Sequence, residues 1–193
     1  CASPECVKIF LSGPDMHSVK TKMAQIKAAF GIDALSPGCK TVQEEIAALM
    51  KKHGGTLATA ESCTGGMIAA YLTAIPGASE HFAGSAVVYS NDLKMKMLGV
   101  KKETLEKFGA VSAECAEELA ANLCAKFAVD AGIAVTGIAG PGGGTKEKPV
   151  GLVYIATQLD GRREVLQHHF FGNREIIRRR TVTMALNQLR KMF

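Results

Sequence analysis

The chain contains no tryptophan, and aromatic residues make up only 6% of its 193 positions. Stacking platforms of the kind that hold single-stranded nucleic acid are therefore not evident. It has no CxxC pair: the six cysteines, Cys1, Cys6, Cys39, Cys63, Cys115 and Cys124, are scattered. Metal-ligand spacing is thus missing, and a chain of this length needs no disulfide staples. The thiols read as reduced, in a cytoplasmic protein. The longest apolar runs, such as Gly132–Val135 and Gly151–Ala156, are strand-length and far short of a membrane span. No signal peptide with a charged start and apolar core is visible, so a membrane is not an expected partner. The first residue is Cys rather than Met, which reads as a processed chain or, in preference, a fragment. Arginine is absent before Arg162.

What is present describes a globular protein. Hydrophobic residues are 47% and charged residues 21%, a balance that excludes a disordered chain or a charged coiled coil. The length fits one domain, or one with an appendage. The net charge of +5 arises wholly in the last 34 residues, where eight Lys/Arg face three Asp/Glu. Arg162, Arg163, Arg174, Arg178, Arg179, Arg180 and Arg190 all lie there. Arginine suits bidentate recognition of phosphate or carboxylate, so this end is a candidate anion site. A solvated basic helix face is the plainer reading.

Hydrophobic periodicity predicts a short strand at Val7–Ser12 and a helix at Ser18–Phe30 with Val19, Met23, Ile26 and Phe30 on its apolar face. Ser36-Pro37-Gly38 breaks the pattern. Thr41 is positioned to cap a helix carrying Ile46, Leu49 and Met50, with Glu44 completing a capping box. Strands are expected at Thr56–Glu61, Ala83–Ser90, Ala131–Gly137, Val150–Gln158 and Glu164–Phe171, the last two joined by a hairpin at Leu159-Asp160-Gly161. Helices are expected from the 62–66 turn to Ala74, at Asn91–Leu98, at Lys101–Phe108, from Ser112 to Phe127, and from Asn173 to the end. Strands alternating with helices before a closing hairpin indicate an α/β layered domain with a mixed sheet.

Four constellations could carry chemistry. Glu61-Ser62-Cys63-Thr64-Gly65-Gly66 lies between a strand and a helix. A serine at a helix start can be a nucleophile served by the following amides, or merely an N-cap. The segment lacks both the nucleophile-elbow glycines and Ser-x-x-Lys, so a base must come from elsewhere. Cys63 is the rival nucleophile, with packing as its plainer role. Tyr89-Ser90-Asn91 and Lys94 leave the end of another strand, where ligands of open α/β sheets gather. Lys94 is a candidate base towards Ser62, or a solvated surface residue. Thr136-Gly137-Ile138-Ala139-Gly140-Pro141-Gly142-Gly143-Gly144 fits neither phosphate fingerprint. Its glycines would allow close approach of backbone amides to a ligand, or make a mobile loop. On the last helix Val182, Ala185, Leu189 and Met192 form the buried stripe, which projected backwards includes Arg174 and Arg178. Arg179 and Arg190 fall on the polar face with Thr183 and Asn187. An arginine on the stripe needs a protein carboxylate or a ligand phosphate. His168 and His169, adjacent on a strand, point to opposite faces and cannot chelate one metal.

LATAESCTGG at 57–66, GSAVVYSNDLK at 84–94, VSAE at 111–114, AVTGIAGPGGG at 134–144, KPVGLVYIA at 148–156 and NREIIRRRTVTMAL at 173–186 together resemble the C-terminal domain of the CinA (competence/damage-inducible) family, the nicotinamide-nucleotide amidohydrolases. The motifs stand in the family's order over residues 41–193. The resemblance implies a three-layer α/β/α sandwich with a mixed, mostly parallel sheet. It also implies hydrolysis of nicotinamide mononucleotide to nicotinic acid mononucleotide and ammonia, without metal or other cofactor. Carried over, Ser62 is the nucleophile, while Tyr89 and Lys94 activate it and shuttle its proton. Glu61, Thr64, Gly65, Gly66, Thr136, Gly137, Gly140, Pro141, Gly142 and Gly143 line the nucleotide site, and Arg174, Arg178 or both hold the phosphate. Residues 1–40 resemble the end of the family's linker domain, with Gly31-Ile32 at its close, so an upstream domain is expected in the native protein. A homo-oligomer is expected on the same ground. The alternative is a non-catalytic nucleotide-binding or competence-linked regulatory module that keeps the pocket. Nucleic acid is not an expected partner, because the inward-facing arginines leave too few basic residues for a phosphate track.

Overall fold

A computed structural model describes residues 9–31, 34–36 and 38–193. The order of elements is α1 (Met16–Phe30), α2 (Val42–His53), β1 (Leu57–Glu61), α3 (Met67–Thr73), β2 (Phe82–Val87), α4 (Asn91–Leu98), α5 (Lys102–Phe108), α6 (Ala113–Phe127), β3 (Ala131–Gly137), β4 (Leu152–Leu159), β5 (Arg162–His169) and α7 (Arg174–Arg190). The five strands form one sheet in the order β2-β1-β3-β4-β5. β2, β1 and β3 run parallel, and β4 is antiparallel to both its neighbours, β3 and β5. Asp160 and Gly161, at φ of 49° and 79°, make the hairpin between the last two strands, the left-handed pair that a two-residue hairpin of matching twist requires.

Central strands of a parallel sheet are covered on both faces and need apolar or small residues throughout; β1, LATAE, is buried at every position. The two faces differ in what covers them. On one side Leu57, Ile133, Val135, Val153 and Ile155 pack with side chains of α2, α3 and α7. The other face presents Ala58, Ala60, Ala86, Ala134 and Ala156 to Leu98, Leu119 and Leu123 of α4 and α6. The result is the three-layer α/β/α sandwich with a mixed, mostly parallel sheet.

Several helix ends follow the local chemistry of the sequence. Thr41 accepts the Glu44 N–H at 3.3 Å, while the Glu44 carboxylate takes the N–H of Lys40, one residue ahead of the cap, at 2.6 Å. Ser90, Ser112 and Asn173 cap α4, α6 and α7 through their side chains.

Three expectations are corrected. Positions 7 and 8 of the expected first strand lie outside the described residues, as do Ile32 and Pro37 of the linker-like segment. Ile9–Ser12 form no strand: the segment pairs with neither edge of the sheet, β2 or β5, and Ile9 and Phe10 are exposed. α1 exists but buries nothing: Met23 and Phe30, read as core-facing, are exposed. Arg190 and Thr183, assigned to a solvated face of α7, are buried. The helix is covered by α2 as well as by the sheet, so its enclosed arc is wider than one apolar stripe. Arg190 there pairs with Glu45 of α2 at 3.2 Å, both groups about 5% exposed. Glu45 also takes the backbone N–H and the hydroxyl of Ser36.

Candidate active site

The site forms where β1, β2 and β3 end together. The chain leaves β1 at Glu61 and turns through residues 62–66 before α3 begins at Met67. Ser62 therefore stands several residues ahead of the helix and is not part of its first turn. The helix N-terminus is instead occupied by Glu61, which is fully enclosed. Its Oε2 accepts the N–H groups of Gly66 and Ile68 at 2.9 and 3.0 Å, and its Oε1 accepts that of Ala69 at 2.8 Å. Gly66, the N-cap, lies at φ of 91° and has no side chain to cap with; the Glu61 carboxylate takes that role.

Lys94, on α4, reaches across the end of β2 to this turn. Its Nζ lies 3.2 Å from Ser62 Oγ, 2.9 Å from Val88 O and 3.1 Å from Tyr89 O. It is 1% exposed, and no carboxylate among the described residues forms an ion pair with it. Burial pushes its pKa below the ordinary lysine value, with Cys115 and Cys63 acting the other way. As an ammonium it can give one proton to each of three acceptors. As a neutral amine it gives two to the carbonyls and turns its lone pair to the Ser62 hydroxyl. That second state makes it a base towards a serine.

Most N–H groups of the turn are engaged. Ser62 donates to Val135 O at 3.2 Å, Gly65 to Ser62 O at 3.1 Å and Met67 to Thr64 O at 3.3 Å. The N–H groups of Cys63 and Thr64 have no acceptor in another described residue, so two adjacent donors beside Ser62 are available. Cys63 itself belongs to the apolar core, and burial pushes its thiol up to about 12. It is a packing residue at neutral pH.

The two arginines meet the site from α7. Arg178 donates to Thr64 O at 2.6 Å, holding the turn. Arg174 spans the mouth, donating to Gly140 O at 2.8 Å and to the Tyr89 hydroxyl at 3.0 Å. Neither of the acceptors expected on the apolar stripe, a protein carboxylate or a ligand phosphate, is what these contacts use. The acceptors are neutral, so both positive charges stay available to an anion.

Tyr89 is 57% exposed at the mouth. Thr136 is buried and donates to Ala110 O at 2.7 Å. Gly137 lies against β4, where a side chain would collide with Val153 and Leu152. Gly140 is buried, whereas Pro141, Gly142, Gly143 and Gly144 are exposed. A cleft of about 430 Å³ lies between β5 and α7 and another of about 440 Å³ between α5 and α6, and neither is lined by Ser62 or Lys94.

The model of the CinA C-terminal domain matches residues 39–193. This chain belongs to the CinA C-terminal domain family. A relative from Clostridium perfringens (strain SM101 / Type A), named as a competence-damage inducible protein, is 45% identical over 189 residues, covering 96% of this chain and 46% of the relative. A CinA-like protein of Syntrophomonas wolfei is 43% identical over 96% of this chain and 45% of its own length. The chain thus spans just under half the length of these curated relatives. Among solved structures, the competence/damage inducible protein CihA of Agrobacterium tumefaciens superposes with a TM-score of 0.75 at 43% identity, over 77% of this chain and 91% of that one.

Within this CinA C-terminal domain, sequence reasoning missed Lys148. Its Nζ donates to Phe108 O at 2.6 Å and Val111 O at 2.7 Å. Together with Thr136 it fixes the segment between α5 and α6 beside the glycine-rich loop. The contacts join positions some 40 residues apart, and no local pattern signals them. No helix among the described residues is long and apolar enough to cross a membrane.

Proposed function

We propose that this chain hydrolyses the carboxamide of nicotinamide mononucleotide, giving nicotinic acid mononucleotide and ammonia, with Ser62 as nucleophile. The observation that carries the reading is the 3.2 Å approach of Lys94 Nζ to Ser62 Oγ, made by a buried lysine with no carboxylate partner among the described residues. A lysine used only for packing or solubility would keep its charge in water.

Neutral Lys94 takes the Ser62 proton as Oγ bonds to the carboxamide carbon. The oxygen of that group becomes an oxyanion and meets the free N–H groups of Cys63 and Thr64; one such donor is typically worth about 3–4 kcal/mol in the transition state. The proton passes to the leaving nitrogen through Lys94 and Tyr89, the C–N bond breaks, and ammonia departs. Water, deprotonated by Lys94, then attacks the Ser62 ester; the acyl C–Oγ bond breaks, Lys94 returns that proton to Ser62 Oγ, and the acid product leaves and ionises to the carboxylate. Arg174, exposed at the mouth, is the ligand for the substrate phosphate, while Arg178 keeps the turn in register.

The test is ammonia release from nicotinamide mononucleotide with and without EDTA, beside Ser62→Ala. Release that survives EDTA and disappears in the variant supports a serine amidohydrolase. Saturable nucleotide binding with no release would instead support a regulatory module that keeps the pocket.

A further inference from the structure

The turn that carries Ser62 closes on its own first residue. Glu61 ends β1, and five to eight residues later the chain returns so that Gly66, Ile68 and Ala69 all donate to the Glu61 carboxylate. Both oxygens are used, and the side chain is fully enclosed. Behind it Thr59 Oγ lies 3.4 Å from Glu61 Oε1 and 2.7 Å from Ser85 Oγ. With one proton per hydroxyl, Ser85 donates to Thr59, and Thr59 donates to Glu61. The carboxylate is thus an acceptor on every side and offers nothing to a substrate.

We infer that Glu61 is a positioning residue for the nucleophile: its carboxylate fixes the Ser62–Gly66 turn so that Ser62 Oγ meets Lys94 and the Cys63 and Thr64 N–H groups face the oxygen of the reacting carboxamide. By absorbing the helix N–H groups at Gly66, Ile68 and Ala69, Glu61 keeps α3 from drawing the turn into a regular first turn. That rotation would turn Ser62 away from Lys94. The inference rests on the serine-nucleophile reading above.

Glu61→Gln tests it, because an amide has one acceptor oxygen where three N–H groups converge, and its NH₂ would face another donor. In ammonia release from nicotinamide mononucleotide, kcat falls by about 10²-fold, the size of effect seen when one oxyanion donor is misplaced. KM and the acidic limb of the pH profile stay unchanged. Labelling of Ser62 by a fluorophosphonate, read by mass, slows in parallel and needs no substrate. Leu72→Val, at the far end of the same helix, serves as a destabilised control that keeps kcat. Should Glu61→Gln not fold, Glu61→Asp, charged but one methylene short, takes its place. A kcat loss no larger than that of Leu72→Val overturns the inference, as does a raised KM with kcat kept. Equal labelling of wild type and variant, or none in either, also overturns it. If wild type releases no ammonia yet labels faster than Glu61→Gln, the amidohydrolase reading fails and the positioning role stands.

Discussion

Replacing Lys94 by methionine removes the amine from beneath Ser62 and leaves an unbranched side chain of similar length. The amine is 1% exposed and contacts three acceptors between 2.9 and 3.2 Å, so no solvent or second base stands ready to replace it. Loss of a general base costs about 10²–10⁴-fold in rate, or about 3–5.5 kcal/mol at roughly 1.4 kcal/mol per tenfold. The wild-type pH profile reports the same group. A free lysine, with a pKa of about 10.4, is neutral in only about one molecule per thousand near pH 7.4. Burial lowers the Lys94 value, so kcat/KM climbs tenfold per pH unit up to that lowered value and then levels. Folding stability moves in the same window. Between the folded value and about 10.4 the unfolded chain holds the proton that the folded chain has released, so stability rises with pH. Below the folded value both states are protonated and the burial penalty stands in full. Lys94→Met abolishes the activity limb and flattens the rise in stability. Ammonia release and denaturant unfolding, each followed from acid to alkaline pH, measure the two effects. Turnover by Lys94→Met along an unchanged acidic limb would refute the reasoning.

Glu45→Leu breaks the buried ion pair with Arg190 and costs about 3–5 kcal/mol, a fall in melting temperature of about 6–20 °C for a domain of this size; adding Arg190→Met recovers most of it, as scanning calorimetry would show. Cys63→Ala keeps kcat, since a thiol held near 12 is protonated at neutral pH, and loses on the order of 1 kcal/mol of packing; loss of turnover would move the nucleophile to Cys63. Arg174→Ala raises KM for the mononucleotide and leaves the nucleoside unaffected, whereas Arg178→Ala lowers kcat for both, because Arg178 holds Thr64 O. Steady-state kinetics on the two substrates separates these outcomes.

The strands and capped helices were legible because their causes are local: Thr41, Ser90, Ser112 and Asn173 each sit beside the N–H they cap. The meeting of Ser62 with Lys94 was legible only as two strand ends of one sheet, which topology then joined. What stayed hidden depends on partners distant in sequence. Glu61 reads as a site carboxylate until the turn folds back on it. Arg190 reads as solvated until α2 covers it, and nothing local in the sequence marks Lys148 for its contacts with Phe108 and Val111. The expected first strand failed for a tertiary reason: its local pattern suits a strand, but the segment pairs with neither edge of the sheet, β2 or β5.

The alanine face of the sheet has a consequence for how this domain can change. Ala58, Ala60, Ala86, Ala134 and Ala156 let α6 settle close to the strands, with α4 packed against α6, and Lys94 descends to Ser62 from that layer. Each methyl group is therefore a spacer, and the five together act as a shim that sets the depth of the amine. A larger residue at Ala60 or Ala86 would lift the helical layer as a unit and draw the lysine back from the serine without touching either. The leucine- and isoleucine-rich face beneath α2 and α7 can trade one branched side chain for another at little cost. The alanine face cannot, so drift in sequence and attempts at redesign should be tolerated on one side of the sheet and punished on the other.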